Sequence, residues 1–307
     1  MKIFHSVGEV IEWRKCQVGD RRNISVGFVP TMGCLHNGHA TLIKESTKDN
    51  DYTVVSIFVN PSQFAPTEDL DKYPRTLEND IKLLESLKVD VLFAPTAREM
   101  YPRGIPLNVE EQKGPFISVL GVSEMLEGKT RPNFFRGVAT VVTKLFNIVM
   151  PDVAYFGQKD IQQFIVLNCM VNELFFNIKL KMIPIVRNEA GLALSSRNKY
   201  LCDESLVISS NLFKGLQTGS DLISVAKQNK TVLKRQNVID AIKATWKRFL
   251  DSGDFRIDYV SIADWNTLNE LQEIEPSDIK IVISCAVYVT DRLDKGTVVR
   301  LIDNIIV

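Results

Sequence analysis

The sequence has few histidines and no excess of charge of either sign. Only three of its 307 residues are His, and Lys plus Arg equals Asp plus Glu at 37 each, so the formal net charge is zero. The densest basic stretch, residues 227–235, is interrupted by apolar side chains. Because proteins that bind nucleic acid usually present a basic face, this balance argues against nucleic acid as a partner.

The cysteines do not indicate a zinc site or a disulfide framework. There are five of them, scattered along the chain, and no CxxC pair occurs. Scattered thiols are typical of a reducing compartment. Residues 1–16 lack the continuous apolar core of a signal peptide, and no apolar run approaches the length that spans a bilayer. We therefore expect a soluble cytoplasmic protein without a membrane partner.

Common catalytic signatures are also missing. The glycine-rich stretch PTMGCLHNGH, Pro30–His39, is neither a Walker A loop nor a GxGxxG fingerprint. No GxSxG elbow and no HExxH pair is present. The sequence therefore indicates neither a covalent nucleophile nor a zinc hydrolase.

What the sequence does contain is an alternation of buried strands and helices. Apolar, β-type runs alternate with helix-type runs, and the last of these β-type runs is residues 178–186. This pattern predicts a parallel sheet covered on both faces, an α/β fold, in residues 1–185. Residues 186–307 contain helical stretches followed by strands, which predicts a smaller α+β domain.

Several polar residues follow the predicted strands directly. His36 and His39 come after the first buried run, Asn60 after the second, and Gly157–Asp160 after a later one. In parallel sheets ligands bind outside the carboxyl ends of the strands. We therefore expect these residues at one edge of one sheet.

Three interpretations apply to His36 and His39. They can be turn and cap residues, metal ligands, or donors to a phosphate. A metal site lacks further ligands, because only His5 remains and no acid lies at a suitable spacing. A strand that passes through Gly33 into a turn, with Gly38 opening a helix, directs backbone N–H groups at an anion. The pattern therefore favours phosphate, with the cap role still open.

Two later motifs suit a nucleotide but are also ordinary loop sequences. Lys159 and Asp160 can contact phosphate and ribose hydroxyls, with Gln163 one helical turn further on, or they can form a solvated pair. The stretch Leu194–Asn198 offers two hydroxyls and an Arg fork for phosphates, or a turn and a helix cap. Gln63 is a neutral, directional group for a hydroxyl or a carboxylate.

Taken together and in this order, the motifs resemble the pantothenate synthetase (pantoate–β-alanine ligase) family. The resemblance runs from Pro30 to near the C-terminus. HNGH is the form that this chain has of the HxGH signature of a wider nucleotidyl-transfer superfamily. The matching stretches are PTMGCLHNGH, FVNPSQF, YPRTLENDI, RPNFFRGVATVV, FGQKDIQQF, GLALSSRNKYL and VRLIDNI.

The resemblance implies a reaction, a fold and an assembly. The family condenses (R)-pantoate with β-alanine at the expense of ATP, giving pantothenate, AMP and pyrophosphate through a pantoyl adenylate. This route needs no covalent enzyme intermediate, which agrees with the missing nucleophile. It also implies a Rossmann-like ATP- and pantoate-binding domain, a C-terminal lid domain, a homodimer, and Mg²⁺ that accompanies ATP with no tightly bound cofactor.

The resemblance also assigns roles to residues by their place in the motifs. The catalytic group is His36, His39 and Lys159. Asn60, Gln63 and Gln163 contact pantoate or β-alanine, no residue is assigned as a metal ligand, and Asp80 is a possible helper for Mg²⁺. The ATP-binding residues are Met32, Gly33, His36, Gly38, His39, Gly157, Lys159, Asp160, Val186, Leu194, Ser195, Ser196 and Arg197.

The chain departs from the family pattern at two positions. Phe134 stands where the family commonly has His, and Gln158 where it commonly has Glu.

Two other functions stay open: a nucleotidyltransferase that keeps the adenylyl group in its product, and a binding protein that retains only the fold.

Overall fold

The structure is a computed structural model that describes residues 1–19, 23–65, 70–71, 73–277 and 279–307. The chain forms two compact units. The first comprises Met1–Gly157 and Gln162–Pro184, and the second comprises Gln158–Ile161 and Ile185–Val307. The sequence-based ranges, 1–185 and 186–307, had placed Gln158–Ile161 with the first domain. As domain limits those ranges stay a prediction.

The first unit is a parallel sheet with flanking helices, which confirms the predicted α/β class. Its strands are β1 (Lys2–Phe4), β2 (Val26–Thr31), β3 (Tyr52–Ile57), β4 (Val91–Phe93), β5 (Val153–Gly157) and β6 (Lys179–Ile183). The helices are α1 (Val7–Gln17), α2 (Asn37–Asp49), α3 (Leu77–Ser86), α4 (Ala97–Met100), α5 (Glu127–Thr130), α6 (Phe134–Val149) and α7 (Ile161–Glu173).

The strand order places a switch point at the centre of this sheet. Neighbouring strands run β1-β4-β3-β2-β5-β6, and every pair is parallel. The chain moves from β2 toward one edge and then returns to β5 on the other side of β2. In open α/β sheets a ligand crevice lies at such a point. β2 leads into the Met32–His39 turn and β5 ends at Gly157, so sequence and topology indicate the same place.

The strands are apolar because both faces of the sheet are covered. Val29, Val55 and Leu92, from three neighbouring strands, are fully buried and belong to one core cluster. Two elements at the N-terminus, β1 and α1, were not predicted from the sequence. Yet α1 has a sequence signal, since Ser6 caps it and Glu9 closes a capping box with Ser6.

The second unit is a separate α+β core. Its elements are α8 (Asp203–Ser209), α9 (Asn211–Gln228), β7 (Leu233–Lys234), α10 (Arg235–Asp251), β8 (Phe255–Asp264), β9 (Glu273–Ile274), β10 (Ile281–Thr290) and β11 (Val298–Ile306). The sheet β11-β10-β8 is antiparallel, and β7 pairs with β9. Alternate residues of β10, such as Ile283 and Val287, share a core cluster with Trp246 of α10. One face of the sheet thus packs on the helices.

Among the described residues, no helix is long and apolar enough to cross a membrane.

In the second unit, helix α9 approaches α10 closely. A Cβ at Gly215 would collide with Nε1 of Trp246, so only glycine fits this crossing. The Trp246 indole donates to the carbonyl of Asn211 at 2.8 Å, which satisfies the one polar atom of that side chain.

Candidate active site

The turn after β2 has a fixed, left-handed backbone. Gly33 has φ +81°, and Cys34 has φ +54°, which is uncommon for a residue with a side chain. A Cβ at Gly33 would lie 3.0 Å from Cγ2 of Ile57. The Thr31 hydroxyl accepts from the Gly33 N–H at 3.2 Å and donates to the carbonyl of Ser56 at 2.8 Å. Glycine is therefore favoured at position 33 by its positive φ and by the limited space beside Ile57.

The carboxylate of Asp80 holds this turn through hydrogen bonds to its backbone. Its carboxylate, 3% exposed, accepts the backbone N–H of Cys34 at 2.9 Å and that of Leu35 at 2.8 Å. The Thr76 hydroxyl lies 3.2 Å from both carboxylate oxygens. These charge-assisted hydrogen bonds compensate for the hydration that the carboxylate loses when it is buried.

This environment gives Asp80 a structural role, and its suggested role as a helper for Mg²⁺ stays a prediction. Both of its oxygens accept hydrogen bonds from backbone and hydroxyl donors, so the side chain shapes the turn. Among the residues that the structure describes, no group of three or more His, Cys, Asp or Glu side chains is placed to hold a metal ion.

His36 and His39 cap the helix that follows the turn. His36 is the N-cap of α2, and its Nδ1 accepts the Gly38 N–H at 3.1 Å. The Nδ1 of His39 accepts the His36 N–H at 3.3 Å, which completes a reciprocal capping box. The two ring centroids are 4.2 Å apart. The cap interpretation is therefore confirmed as a structural role, and it does not exclude phosphate binding.

The cap fixes the tautomer of both rings. An Nδ1 that accepts a hydrogen bond carries no proton, so each neutral imidazole carries its proton on Nε2. Each Nε2 is then a hydrogen-bond donor at the N-terminus of α2, where the helix dipole also favours an anion. The capping geometry thus provides two adjacent Nε2–H donors, one from each ring.

Asn60 positions the neighbouring loop. Its Nδ2 donates to Oε1 of Gln63 at 3.1 Å and to the carbonyl of Gly137 at 3.2 Å. Its Oδ1 accepts from the hydroxyls of Ser62 at 3.0 Å and Tyr101 at 2.8 Å. The side chain is 1% exposed. Asn60 therefore has its hydrogen-bonding capacity filled by the protein, a role that the sequence analysis had not foreseen.

Burial keeps Tyr101, a hydrogen-bond partner of Asn60, protonated. Desolvation raises the pKa of Tyr101 to about 12, so its hydroxyl stays protonated at neutral pH and donates. Gly137 of α6 is pressed against the same loop, because a Cβ there would collide with the carbonyl oxygen of Ser62. Contacts with Asn60 and with Gly137 therefore hold the loop that carries Gln63 in place.

Gln63 connects this loop to the turn after β2. Its Nε2 donates to Sδ of Met32 at 3.1 Å, and the side chain is 8% exposed. A thioether is a weak acceptor, so a ligand oxygen can replace it at little cost. The structure thus brings together Met32 and Gln63, which the sequence places on different motifs.

The neighbouring glutamines Gln162 and Gln163 differ in environment. Gln162 is 3% exposed, donates to the carbonyls of Val122 and Met125 at 2.9 and 2.7 Å, and accepts the N–H of Glu127 at 3.0 Å. Gln163 is half-buried. Sequence reasoning singled out Gln163 and missed the loop-holding role of Gln162, because a QQ pair does not reveal which side chain faces the core.

In the second unit, Asn304 holds the turn that contains Lys159. Its Nδ2 donates to the carbonyls of Gln158 and Lys159, each at 3.0 Å, and its Oδ1 accepts from Nε2 of Gln158 at 3.2 Å. Lys159 is half-buried and Asp160 exposed. The departure at Gln158 therefore has a local reason, since a Glu carboxylate has no proton to donate to Asn304.

Residues 186–197 form a hairpin and a short 3₁₀ turn. The Leu194 N–H donates to the carbonyl of Val186 at 2.9 Å. Ser195 caps the turn Ser196–Tyr200, its Oγ accepting the Arg197 N–H at 3.2 Å. Ser196 is half-buried and Arg197 exposed. The cap alternative thus describes Ser195, while Arg197 presents its guanidinium at the surface.

The departure at Phe134 places an aromatic ring against Arg131. The guanidinium carbon of Arg131 lies 3.9 Å from the centroid of the Phe134 ring, a cation–π geometry. The ring also packs edge-on against Phe135 at 5.0 Å between centroids. Arg131 in turn donates to the carbonyl of Gln63 at 3.4 Å. Phe134 therefore supports an Arg that contacts the loop carrying Gln63.

Comparison with known proteins accounts for this combination of motifs. Residues 2–306 match the family model described as Pantoate-beta-alanine ligase. The chain belongs to this family. It is 68% identical over 310 residues to the pantoate–beta-alanine ligase of Saccharomyces cerevisiae, with all of both chains covered. The chain is accordingly an enzyme of the ligase class.

Solved structures of the ligase family share the fold over nearly the whole chain. Pantothenate synthetase from Thermus thermophilus matches with a TM-score of 0.81 and 36% identity, covering 99% of each chain. The ligase from Francisella tularensis, complexed with beta-gamma ATP and beta-alanine, matches with a TM-score of 0.73 and 33% identity over 99% of this chain and 97% of that one.

We predict that Asp80→Asn destabilises the protein by about 2–3 kcal/mol, because an amide nitrogen would face a backbone N–H and leave it unsatisfied. Urea unfolding measures the change. Glu78→Gln is the matched control, since it removes an exposed acid from the same first turn of α3 and should change stability by about 0.5 kcal/mol or less. Equal effects of the two variants would mean that charge, not the contacts with the turn, matters.

We predict that His36 and His39 carry their neutral-form proton on Nε2, whereas His5 carries it on Nδ1. The Nδ1 of His5 lies 2.8 Å from the carbonyl of Ala94, which can only accept. Long-range ¹H–¹⁵N correlation spectra distinguish the tautomers, and with three histidines every ring can be assigned. An Nδ1–H signal from either ring of the turn would contradict the capping geometry.

Proposed function

We propose that this enzyme condenses (R)-pantoate with β-alanine to pantothenate in an ATP-dependent reaction that releases AMP and pyrophosphate. The observation that carries the proposal is the pair of imidazoles with Nε2 donors at the N-terminus of α2. Membership in the ligase family and the Francisella tularensis relative complexed with beta-gamma ATP and beta-alanine support it.

The proposed reaction has two steps. A pantoate carboxylate oxygen attacks the α-phosphorus of ATP, the bond to the bridging oxygen breaks, and pyrophosphate leaves with that electron pair. The amine of β-alanine then attacks the acyl carbon of pantoyl adenylate, loses a proton, and displaces AMP. Neither step bonds the enzyme to a substrate, so the protein has to orient the reactants and stabilise phosphate charge.

The first unit supplies donors for both substrates in this proposal. His36 and His39 donate from Nε2 to phosphate oxygens, and backbone groups from Met32 to Gly38 line the nucleotide. Gln63 gives up its bond to the Met32 thioether and donates to pantoate. Gln163 is the second pantoate contact. Asn60 stays a positioning residue for Gln63, because its own polar atoms are engaged.

Residues near the end of β5 and in the second unit complete the proposed set for ATP. Lys159 bears the cation at the reacting phosphate, and Asp160 and Gly157 contact the ribose and phosphates. Val186 and Leu194 meet the nucleotide through backbone groups. Ser195, Ser196 and Arg197 bind phosphates, as two hydroxyls and a guanidinium fork suit them.

Mg²⁺ enters this proposal as the counter-ion of ATP, held through its phosphates. Asp80, which holds the turn, keeps its suggested role as a helper for this ion. The homodimer, the lid role of residues 186–307 and the cytoplasmic location stay predictions.

The reaction is tested with pantoate labelled with ¹⁸O in its carboxylate. We expect AMP to acquire one labelled oxygen, because the carboxylate oxygen bonded to phosphorus leaves with it. Mass spectrometry of AMP and pantothenate measures the distribution. Label found only in pantothenate rules out the adenylate, and failure to form any AMP rules out the ligase. A product that retains the adenylyl group would identify a nucleotidyltransferase instead.

The roles of His39 and Lys159 are tested by variants that separate positioning from chemistry. His39→Asn keeps an acceptor near the place of Nδ1 but has no Nε2 donor, and Lys159→Ala removes the cation. We expect each to slow single-turnover adenylation about 10²–10³-fold with an unchanged melting temperature. His5→Ala and Lys179→Ala are controls at exposed positions. Wild-type rates in His39→Asn would leave His39 with the cap role alone.

A further inference from the structure

The C-terminal motif VRLIDNI has no part in the reaction proposed above, although it belongs to the set of motifs shared with the family. Its residues Asp303 and Asn304 lie next to each other on β11 and are 4% and 1% exposed. Successive side chains of a strand point to opposite faces of the sheet. Two buried polar side chains therefore leave one strand in opposite directions, and both need partners.

Asn304 makes three hydrogen bonds to a single turn. Its Nδ2 donates to the carbonyls of Gln158 and Lys159, and its Oδ1 accepts from the Gln158 side chain. The two carbonyls fix which way the amide faces, so its oxygen has to face residue 158. One side chain thus sets the backbone position from which Lys159 extends.

Asp303 makes the corresponding contacts on the other face. It accepts two hydrogen bonds from Arg187, at 2.6 and 2.8 Å, a bidentate pair that is largely buried. Arg187 also donates to the carbonyl of Gly191 at 3.0 Å and stacks over Phe213 at 3.7 Å. Arg187 directly follows Val186, so Asp303 fixes the hairpin that leads to residues 194–197.

The two sets of contacts are joined. Oδ1 of Asp303 accepts the backbone N–H of Asn304 at 2.8 Å, so the carboxylate also orients the residue that holds Lys159. Within the second unit, one dipeptide of β11 therefore contacts both segments that the proposed function assigns to ATP.

We propose that Asp303 and Asn304 are positioning residues for catalysis, which hold the Lys159 turn and the 186–197 hairpin in the arrangement that adenylation requires. The inference rests on the proposed function, because the role of Lys159 is assigned there. A cation displaced by about 1 Å from a reacting phosphate loses much of its effect on the rate, so the loss of Asn304 should act through Lys159.

A double-mutant cycle tests this coupling in the full-length enzyme. Asn304→Ala should slow single-turnover adenylation about 10–100-fold in the wild-type background. In the Lys159→Ala background the same change should cost about 3-fold or less, because the group that it positions is gone. Melting temperatures are measured for all four proteins.

Ser284→Ala is the matched control for the cycle. Ser284 is the register partner of Asn304 on β10 and is 3% exposed, and its hydroxyl makes no hydrogen bond to the described residues. We expect this variant to keep the wild-type rate. If Asn304→Ala does not fold, Gln158→Ala replaces it in the cycle, since it removes one bond of Asn304 at a half-buried position; its expected loss is about 3–10-fold.

The outcomes separate this inference from the proposed function. An equal fold-loss in both backgrounds would mean that Asn304 supports the fold in general and would overturn the inference, as would a wild-type rate in Gln158→Ala. A wild-type protein that forms no AMP would overturn the proposed function first, and the inference with it.

Discussion

The buried carboxylate of Asp80 is the constraint on which the site depends. The turn after β2 places two successive backbone N–H groups, those of Cys34 and Leu35, away from any strand or helix partner, and Asp80 accepts both. With that turn fixed, His36 becomes the N-cap of α2 and His39 follows one turn later. The direction of both imidazoles thus follows from a residue on a different helix, far along the chain.

The same principle applies to the other segments of the proposed site. Asn60, Gln162 and Asn304 are amides that are almost fully buried, and each holds a loop through several hydrogen bonds. An amide both donates and accepts, so it satisfies loop carbonyls and N–H groups together without placing a charge in the interior. Three of the residues proposed to contact substrates, Gln63, Gln163 and Lys159, lie beside these amides in the chain or in the loops that they hold.

Much of this could be predicted from the sequence, since it depends on local pattern. The apolar runs before His36 and after Asp152 predicted strands, and the order of the motifs indicated the family. A cap role for His36 and His39 was one of the interpretations of a strand followed by a glycine-rich turn. β1 and α1 went unpredicted, although Ser6 and Glu9 carry a capping signal.

The sequence by itself determined the fold class and the family, because both depend on the periodicity and the order of motifs along the chain. It also predicts which residues bind phosphate. Only the tertiary structure decided what those residues do to one another. It assigned Asp80 to the turn, Asn60 to Gln63, and Asn304 to Lys159. Whether a polar side chain turns to a backbone group or to a ligand depends on packing between distant segments, which no local pattern encodes.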